Sequence, residues 1–362
     1  RDASLDIAII EPSDQHFYQP GWTMVGAGIF TKGQTVRSTD SVWPSGIKRI
    51  NGAVSAFSPD KNTVTLNDGS EVHYEFLVVA AGLKLDWDAV EGLENALGKN
   101  GVTSNYRFDL APYTWDLVQK MQGKTAIFTQ PPMPIKCAGA PQKAMYLSCD
   151  AWLKAGKLNG IDVSFCNAGP VLFGCAPYVP PLMEYVKKYD IALDFGHNLV
   201  KIDGPNQKAW FKVTKDGEEP ELVERKFDMF HVCPPQCAPD FIKDSPLSGA
   251  AGWVDVDQAT LQHTTYDNVF GLGDVTSTPN AKTVAAARKQ APIVAQNLIS
   301  KIKGQSLEPL YDGYGSCPLT VENGKIILAE FGYGGKIMPS FPWDSTKPRR
   351  AAWFLKKSIL PW

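Results

Sequence analysis

Short apolar runs that end in glycine or an acidic residue recur along the chain and constrain its fold class. The first is Asp6 to Glu11 (D-I-A-I-I-E), another (F-L-V-V-A-A-G) closes at Gly82, and a third runs from Val269 to Asp274. Such runs are typical of buried strands, and stretches with helical spacing, such as Leu110 to Met121, lie between them. This alternation predicts an α/β protein with a mainly parallel sheet.

Further runs predict the remaining elements. Residues 53–66 and 71–80 are predicted strands joined by a turn at residues 67–69 (N-D-G). The run K-T-A-I-F-T, from Lys124 to Thr129, begins a second series of strands that Ile161 to Cys166 continues. A long helix is predicted from about Lys282 to Lys303. The chain has no internal repeat and no low-complexity tract.

The composition excludes several classes of protein. The 362 residues carry 36 basic and 38 acidic side chains, a net charge of −2, whereas a nucleic-acid-binding protein needs a basic face. No apolar stretch approaches the roughly 18 residues of a membrane-spanning helix. The seven cysteines are too sparse for a disulfide scaffold. Cys233 and Cys237, the closest pair, lack the further ligands of a metal site. We therefore expect no nucleic-acid partner and no metal.

Two acidic residues that end predicted strands have the chemistry to bind hydroxyl groups. An acid in the position of Glu11 can accept hydrogen bonds from the ribose of an adenosine. Asp274 follows Gly271 and Gly273, whose missing side chains let backbone approach a ligand; it also fits an ordinary helix N-cap. A pyrophosphate-binding G-x-G-x-x-G turn should lie about 20 residues before Glu11. We expect that the chain is trimmed at its start or that the site lacks this loop.

Two cysteines are candidates for chemistry, although each taken alone also fits a core cysteine. Cys137 lies beside Lys136 and just before a predicted helix, and both features lower the pKa of a thiol. Cys317 is flanked by Gly and Pro in G-S-C-P-L, whereas a buried structural cysteine is more often found inside a strand or helix. The turn before Cys137, Q-P-P-M-P, lacks the N–H groups that a pyrophosphate needs, which disfavours NAD(P)H binding there.

The end of the chain is basic and amphipathic. From Lys347 onward it reads K-P-R-R-A-A-W-F-L-K-K-S-I-L-P-W, with five basic residues and no acid. On a helix, Ala352, Leu355, Ile359 and Trp362 share one face. This pattern is typical of a helix that lies in a membrane interface, and equally of a surface helix that packs on its own core. The sequence leaves both interpretations open.

Taken together, these motifs resemble those of the sulfide:quinone oxidoreductases, in the mitochondrial-type branch of the two-dinucleotide-domain flavoproteins. The two cysteine motifs are specific to this branch, whereas N-V-F-G-L-G-D is shared across the superfamily. The matching stretches extend from near the start of the chain to near its end: Glu11 to Gly28, Pro134 to Lys143, Ala250 to His263, Asn268 to Asp274 and Tyr311 to Leu319.

The resemblance implies a fold and a domain order. We expect an α/β architecture of tandem Rossmann-like (glutathione-reductase-like) domains, one of FAD type and one of NAD(P) type, with a C-terminal membrane-interface segment. The family's amphipathic C-terminal region is expected to continue beyond Trp362. The expected parts are residues 1–105 (FAD-binding domain, first part), 106–245 (second Rossmann-like domain, with Cys137), 246–310 (FAD-binding domain, second part) and 311–362 (C-terminal segment, with Cys317 and the basic tail).

The resemblance also implies an activity, the FAD-dependent oxidation of hydrogen sulfide with two electrons passed to ubiquinone at a membrane face. Cys137 and Cys317 match the redox-active pair, where hydrosulfide attacks an oxidised sulfur bridge and a cysteine persulfide forms. The sulfane sulfur leaves to a small thiol or sulfite acceptor, or to another sulfide. The implied location is peripheral (monotopic), on a mitochondrial inner membrane or a bacterial plasma membrane.

The same resemblance assigns residues to the cofactor. Glu11 would bind the adenosine ribose, and Asp274 would hold the region between ribityl chain and pyrophosphate. Lys282 would face the flavin pyrimidine carbonyl at the start of a helix, where positive charge favours the reduced anion. The expected cofactor-binding residues are Glu11, Gln19, Val54 (through its backbone), Gly82, Gly273, Asp274, Lys282 and Thr283.

Three alternatives fit the sequence less well. A flavin NADH:quinone reductase would need a Gly-rich second turn and no cysteine pair. A soluble disulfide reductase would need its cysteines close together, as in C-x-x-C. A flavin-free persulfide carrier is the non-enzyme alternative, suggested by the absent first loop.

Overall fold

The computed structural model describes residues 5–215 and 217–361. Trp362, assigned above to the apolar face of the tail, lies outside the described residues. The strands, in chain order, are β1 (Ala8–Ile10), β2 (Gln15–Phe17), β3 (Val36–Ser38), β4 (Lys48–Ile50), β5 (Val54–Ser58), β6 (Thr63–Leu66), β7 (Glu71–His73), β8 (Leu77–Val79), β9 (Lys84–Leu85), β10 (Val102–Thr103), β11 (Thr125–Gln130), β12 (Asp162–Asn167), β13 (Ile191–Phe195), β14 (His197–Asp203), β15 (Lys208–Val213), β16 (Glu221–Lys226), β17 (Met229–His231), β18 (Gln236–Cys237), β19 (Val269–Gly271), β20 (Gly315–Glu322) and β21 (Lys325–Phe331).

Helices alternate with these strands, as the sequence predicts for an α/β protein. The helix expected from Leu110 to Met121 is α4, and the long helix expected after Lys282 is α8. The helices are α1 (Trp22–Val25), α2 (Thr39–Val42), α3 (Leu93–Ala96), α4 (Ala111–Lys120), α5 (Ala140–Lys154), α6 (Val179–Lys188), α7 (Asp240–Lys243), α8 (Val284–Ile302) and α9 (Arg350–Phe354).

A five-stranded parallel sheet forms the middle of the chain, in the order β10-β17-β11-β12-β13. Its two longest strands are those predicted from K-T-A-I-F-T and from Ile161 to Cys166, and Phe128 lies opposite Phe165 in their register. Both rings are fully buried. Because a parallel sheet is covered on its faces, its strands read as apolar runs, which is why the sequence identified them.

Two short parallel pairs, β1 with β4 and β8 with β19, belong to the other half of the molecule. The region predicted as strands at 53–80 folds as a three-stranded antiparallel sheet, β5-β6-β7, followed by β8. Ile10, Val54, Leu83 and Leu272 pack against one hydrophobic cluster that contains Val79 and Phe270. The strands β1, β8 and β19 and the turns that follow β8 and β19 therefore pack on one hydrophobic core.

The hairpin β20-β21 packs on helix α5, and the two contribute to one hydrophobic cluster. Cys317 lies inside β20, opposite Ala329, and is fully buried. The expectation that its Gly and Pro neighbours keep Cys317 outside regular structure is therefore wrong. Pro318 is accommodated because a two-stranded hairpin has an open edge, where a strand residue needs no N–H donor.

The tail folds as α9 followed by a π-helical turn, Leu355–Ile359. This turn shifts the helical phase, so Ala352, Leu355 and Ile359, which were predicted on one face, do not share one environment. Ala352 is 2% exposed, whereas Ile359 is 50% exposed. The exposed apolar side chains are Phe354, Ile359 and Leu360. In the part of the chain that the structure describes, no helix has the length and apolar character to span a bilayer.

We predict that Phe165→Ala lowers the free energy of unfolding by roughly 3–5 kcal/mol, because a fully buried ring leaves a cavity. Urea denaturation followed by tryptophan fluorescence would measure the change. Phe195→Ala, in neighbouring β13 where the ring is 37% exposed, is the matched control and should cost less than about 1 kcal/mol. Equal losses in the two variants would contradict this assignment of the core.

Candidate functional site

Cys137 lies in the loop between β11 and α5, in a backbone conformation that is unusual for cysteine. Its φ of 52° is in the left-handed region, which costs energy for a residue with a side chain. Two hydrogen bonds hold it: Cys137 N–H donates to the Lys282 carbonyl at 2.8 Å, and Ala140 N–H donates to the Cys137 carbonyl at 2.7 Å. The thiol is thus fixed at the start of α5 by a residue that precedes α8.

Cys317 meets Cys137 across this loop, although 180 positions separate them in the sequence. The hydrogen bond from the Cys317 thiol holds the pKa of Cys137 well below its usual range, with a further contribution from Lys143 and Lys356. The same hydrogen bond, together with burial, raises the pKa of Cys317. These opposite shifts favour a thiolate at Cys137 and a thiol at Cys317.

Gly139 allows this close approach. A Cβ built at Gly139 would collide with the Leu319 side chain and lie 3.8 Å from Cβ of Cys317. Only a residue without a side chain lets the Cys137 loop lie this close to β20.

Two buried lysines lie near the cysteine pair. Lys143 Nζ, in the first turn of α5, is 3.1 Å from Cys137 Sγ. Lys356 comes from the tail, and its Nζ donates to Thr320 Oγ1 at 2.9 Å, in the strand that carries Cys317. Each of these lysines is only 4% exposed. Burial lowers the pKa of Lys356, and repulsion from Lys143 lowers it further by a smaller amount.

Lys136, which the sequence suggested as the cation beside Cys137, makes its hydrogen bond elsewhere. Its Nζ is 2.6 Å from Gln19 Oε1 and 5.9 Å from the ring centres of Trp22 and Tyr106. Lys143 makes the direct contact with the thiolate instead. A signal for this was present in the sequence, because a side chain in the first turn of a helix points back toward the residues that precede the helix.

Four of the eight expected cofactor residues, Glu11, Gly82, Gly273 and Asp274, follow the carboxyl ends of parallel strands. Glu11 follows β1 and accepts a hydrogen bond from Ser13 N–H at 2.8 Å. Gly82 and Gly273, with φ of 72° and 78°, follow the adjacent parallel strands β8 and β19. A Cβ at Gly82 would project into open space. The Asp274 side chain follows directly, and its burial raises the pKa of the carboxyl. Ligands of α/β proteins bind at this edge of a sheet.

Lys282 is engaged by protein groups in this structure. Its Nζ donates to the carbonyls of Asp274 and Thr276, both at 2.8 Å, and lies 4.1 Å from the ring centre of Trp253. Burial lowers the pKa of Lys282 to about 8. An ammonium has three N–H donors, so one is left for a contact with a flavin carbonyl, and this contact stays a prediction. The hydroxyl of Thr283 caps α8 by accepting from Ala286 N–H at 3.2 Å.

Gln19 and Val54 occupy two different settings. Gln19 is exposed and bound to Lys136, at the start of the segment that leads into α1. Val54 begins β5 opposite Leu66, and its side chain packs on the core beneath the turns after β1, β8 and β19. Val54 thus packs on the same cluster as Ile10 and Leu272, the residues that precede Glu11 and Gly273. Its expected backbone contact with a cofactor stays a prediction.

Comparison with known proteins identifies the family. The chain is 43% identical over 358 residues to the mitochondrial sulfide:quinone oxidoreductase of Dictyostelium discoideum, covering 98% of this chain and 78% of that relative. It is 40% identical over 356 residues to the protein of the same name from Mus musculus, with 98% and 79% covered. The chain belongs to the sulfide:quinone oxidoreductase family. No protein-family model matches it.

Solved structures show the architecture of this sulfide:quinone oxidoreductase family member. The sulfide:quinone oxidoreductase of the bacterium Aquifex aeolicus matches with a TM-score of 0.79 at 20% identity, covering 99% of this chain and 84% of that one. A chain of the mitochondrial ATP synthase of Tetrahymena thermophila matches with a TM-score of 0.83 at 22% identity, covering 97% and 87%. At these identities the likeness establishes a shared mixed α/β fold, and function has to be argued from the site.

We predict that Lys143→Met raises the pKa of Cys137, because it removes the cation in contact with the thiolate. The midpoint of the pH profile for iodoacetamide alkylation, measured at Cys137 by peptide mass spectrometry, should move to higher pH. Alkylation near pH 7 should become about tenfold slower if the midpoint rises by about one pH unit. Lys157→Met, which removes an exposed lysine just beyond α5, is the control. An unchanged midpoint in Lys143→Met would refute the role of this cation.

Proposed function

We propose that this protein oxidises hydrogen sulfide through Cys137 and Cys317 and passes two electrons, by way of bound FAD, to ubiquinone. The observation that carries the proposal is the thiolate–thiol pair itself, with Lys143 in contact with the thiolate. Its relatives of 43% and 40% identity, both named sulfide:quinone oxidoreductase, support the same reaction.

The residues at the carboxyl edge of the strands fit a dinucleotide such as FAD. Gly82 has a left-handed backbone with open space where a side chain would be. The carboxyl of Asp274 makes no hydrogen bond to the described residues, so a ligand hydroxyl can supply one. We propose that Glu11 binds the adenosine ribose and that Gly82, Gly273 and Asp274 bind the middle of the dinucleotide. Gln19, Val54, Lys282 and Thr283 are the further contacts we propose. When bound, FAD supplies the acceptor for an electron pair.

The sulfur chemistry follows from the pair. In the oxidised protein a sulfur bridge joins Cys137 and Cys317. Hydrosulfide attacks one sulfur, so a new S–S bond forms a cysteine persulfide while the bridge breaks and the other cysteine leaves as a thiolate. A small thiol or sulfite then takes the outer sulfur, which has risen from sulfide to the sulfane oxidation level. Closing the bridge again releases the two electrons that reduce the quinone to its hydroquinone, with two protons taken up.

The two buried lysines assist the proposed sulfur chemistry through their charge. Lys143 and Lys356 place positive charge beside the sulfur atoms, in surroundings where water does not screen it. They stabilise the leaving thiolate at Cys137 and attract anionic reactants such as hydrosulfide and sulfite. We therefore propose an anionic sulfur acceptor of small size.

The tail supports a peripheral location on a membrane. Exposed Phe354, Ile359 and Leu360 stand beside exposed Lys357, as in helices that lie in a membrane interface. A cavity of about 220 Å³ lies between the tail and the segment after α1, lined by Phe30, Lys357 and Pro361 among others. We propose that ubiquinone approaches by this route. Two relatives carry the name mitochondrial, and we propose the mitochondrial inner membrane over a bacterial plasma membrane.

An anaerobic absorbance spectrum tests the proposed function. The holoprotein should show a flavin band that bleaches with stoichiometric sulfide and recovers when a soluble ubiquinone is added. A band that NADH bleaches and sulfide does not would establish an NADH:quinone reductase instead. Absence of a flavin band would establish the persulfide carrier.

We predict that Cys137→Ser and Cys317→Ser each abolish sulfide-dependent bleaching while FAD stays bound. The reason is that a serine hydroxyl neither forms the sulfur bridge nor leaves as a stable anion. The flavin band before and after sulfide addition measures both properties. Cys237→Ser, at a half-buried cysteine in β18, is the control and should bleach normally. Normal bleaching in either active-site variant would exclude the thiol mechanism.

We predict that the tail binds vesicles that contain phosphatidylserine. The double substitution Phe354→Ser/Ile359→Ser should reduce co-sedimentation with these vesicles severalfold, because it removes two exposed apolar side chains. Leu222→Ser is the matched control, since Leu222 is 65% exposed in β16. Equal loss of binding in the control, or no loss in the double variant, would show that the tail is only a surface helix.

A further inference from the structure

One segment carries both a side chain that reaches the cysteine pair and side chains that face solvent. This segment, here called the tail helix, comprises α9 and the π-helical turn to Ile359. Lys356 points inward and is 4% exposed, whereas Phe354 and Ile359 are 59% and 50% exposed. Any force that moves the tail helix therefore also moves the Lys356 side chain, whose Nζ donates to Pro318 and Thr320 beside Cys317 and which acts on Cys137 through its charge.

The inward position of Lys356 is costly to maintain. An ammonium group loses its hydration on burial, and hydrogen bonds to Thr320 Oγ1 at 2.9 Å and the Pro318 carbonyl at 3.5 Å replace only part of it. Lys143, a second buried cation, repels it. The tail helix is also short, and helices of fewer than about 12 residues are marginal without packing partners. A contact on the outer face would offset these costs.

The chemistry of the outer face indicates what that contact is. Apolar Phe354, Ile359 and Leu360 lie next to Lys357 and Ser358 along the exposed side. The segment from Lys347 onward contains no acidic residue. Apolar side chains between basic ones fit an anionic phospholipid surface, where the rings and aliphatic chains enter the acyl boundary and the cations meet the headgroups.

We propose that contact of the tail helix with an anionic phospholipid surface holds Lys356 beside Cys137 and thereby increases the thiolate character of this cysteine. Lipid contact and thiol reactivity are then coupled through one helix. The coupling is reciprocal, so the thiolate strengthens lipid binding by the same factor as lipid favours the thiolate. The inference rests on the proposed function for the placement of the tail on a membrane and for the role of Cys137.

Several charged or titratable side chains lie near Cys137, and the coupling acts through those that move with the tail helix. Lys136 lies on its own loop, Lys143 on α5, and Asp274 after β19, and none of these belongs to the tail helix. Tyr106 and Cys233, also nearby, have pKa values raised by burial and stay neutral near pH 7. Of the charged groups that act on Cys137, lipid contact therefore changes the position of Lys356.

Alkylation of the reduced holoprotein tests the coupling without any turnover. The midpoint of the pH profile for iodoacetamide labelling of Cys137 is measured by peptide mass spectrometry, with and without vesicles of phosphatidylcholine that contain phosphatidylserine. The vesicles should lower the midpoint, so that labelling near pH 7 accelerates by roughly three- to tenfold. Vesicles of phosphatidylcholine alone should have a smaller effect. Cys237, the other half-buried cysteine among the described residues, is labelled in the same sample and should not respond.

Variants separate the contribution of Lys356 from that of lipid contact. Lys356→Met should label slowly at Cys137 with or without vesicles, although it still co-sediments with them. Lys356→Arg keeps the charge and should restore part of the vesicle effect. The double substitution Phe354→Ser/Ile359→Ser should label like the lipid-free protein under both conditions. Circular dichroism and the melting temperature of each variant report whether it has folded.

The reciprocal measurement needs no alkylation. Cys137→Ser removes the thiolate and should weaken binding to phosphatidylserine vesicles severalfold, whereas Cys237→Ser should bind like the unmodified protein. The inference would be overturned if vesicles bind without lowering the alkylation midpoint of Cys137. It would also be overturned if they lower this midpoint equally in Lys356→Met. If the unmodified holoprotein shows the vesicle effect on Cys137 but its flavin band does not bleach with sulfide, the proposed function alone is refuted.

Discussion

A thiolate held between buried ammonium groups is the interaction on which the rest of this site depends. Lys143 and Lys356 are each 4% exposed and repel each other, so both would destabilise the fold without an anion nearby. The thiolate of Cys137 would equally be disfavoured without them, since burial alone raises the pKa of a thiol. Removal of the thiolate would leave two buried lysines without an anion, and removal of either lysine would weaken the stabilisation of the thiolate. The loop after β11, helix α5 and the tail therefore have to be assembled together.

The sequence could predict much of the fold because parallel strands are apolar along their whole length. The runs ending at Glu11, Gly82 and Asp274 correspond to β1, β8 and β19, and the series beginning at Lys124 supplies β11 and β12 of the five-stranded central sheet. Cys137 could be singled out from its position just before a helix. The strand around Cys317 could not, because its Pro and Gly neighbours argue against a strand, and only the pairing with β21 overrides that local preference.

Long-range charges were the least predictable part of the site. Nothing local connects Lys356 with Cys137, and the periodicity of the tail placed Ala352 and Ile359 on a common face. The π-helical turn changes that phase by one residue, and turns of this kind have no simple sequence signature. Lys282 shows a related difficulty. Its place before α8 was predictable, but its bonds to the Asp274 and Thr276 carbonyls depend on how two loops fold together.

The separation of the site's parts along the chain also affects when its chemistry can begin. Chains emerge from the ribosome from the N-terminus, and domains fold as units during synthesis. When α8 has emerged, Cys137 and Lys143 are already made, but β20 with Cys317 and the tail with Lys356 are still to come. The nascent protein thus carries Cys137 without its hydrogen-bond donor and without one of its two cations. The order of biosynthesis therefore keeps Cys137 less reactive until β20 and the tail helix have both been made.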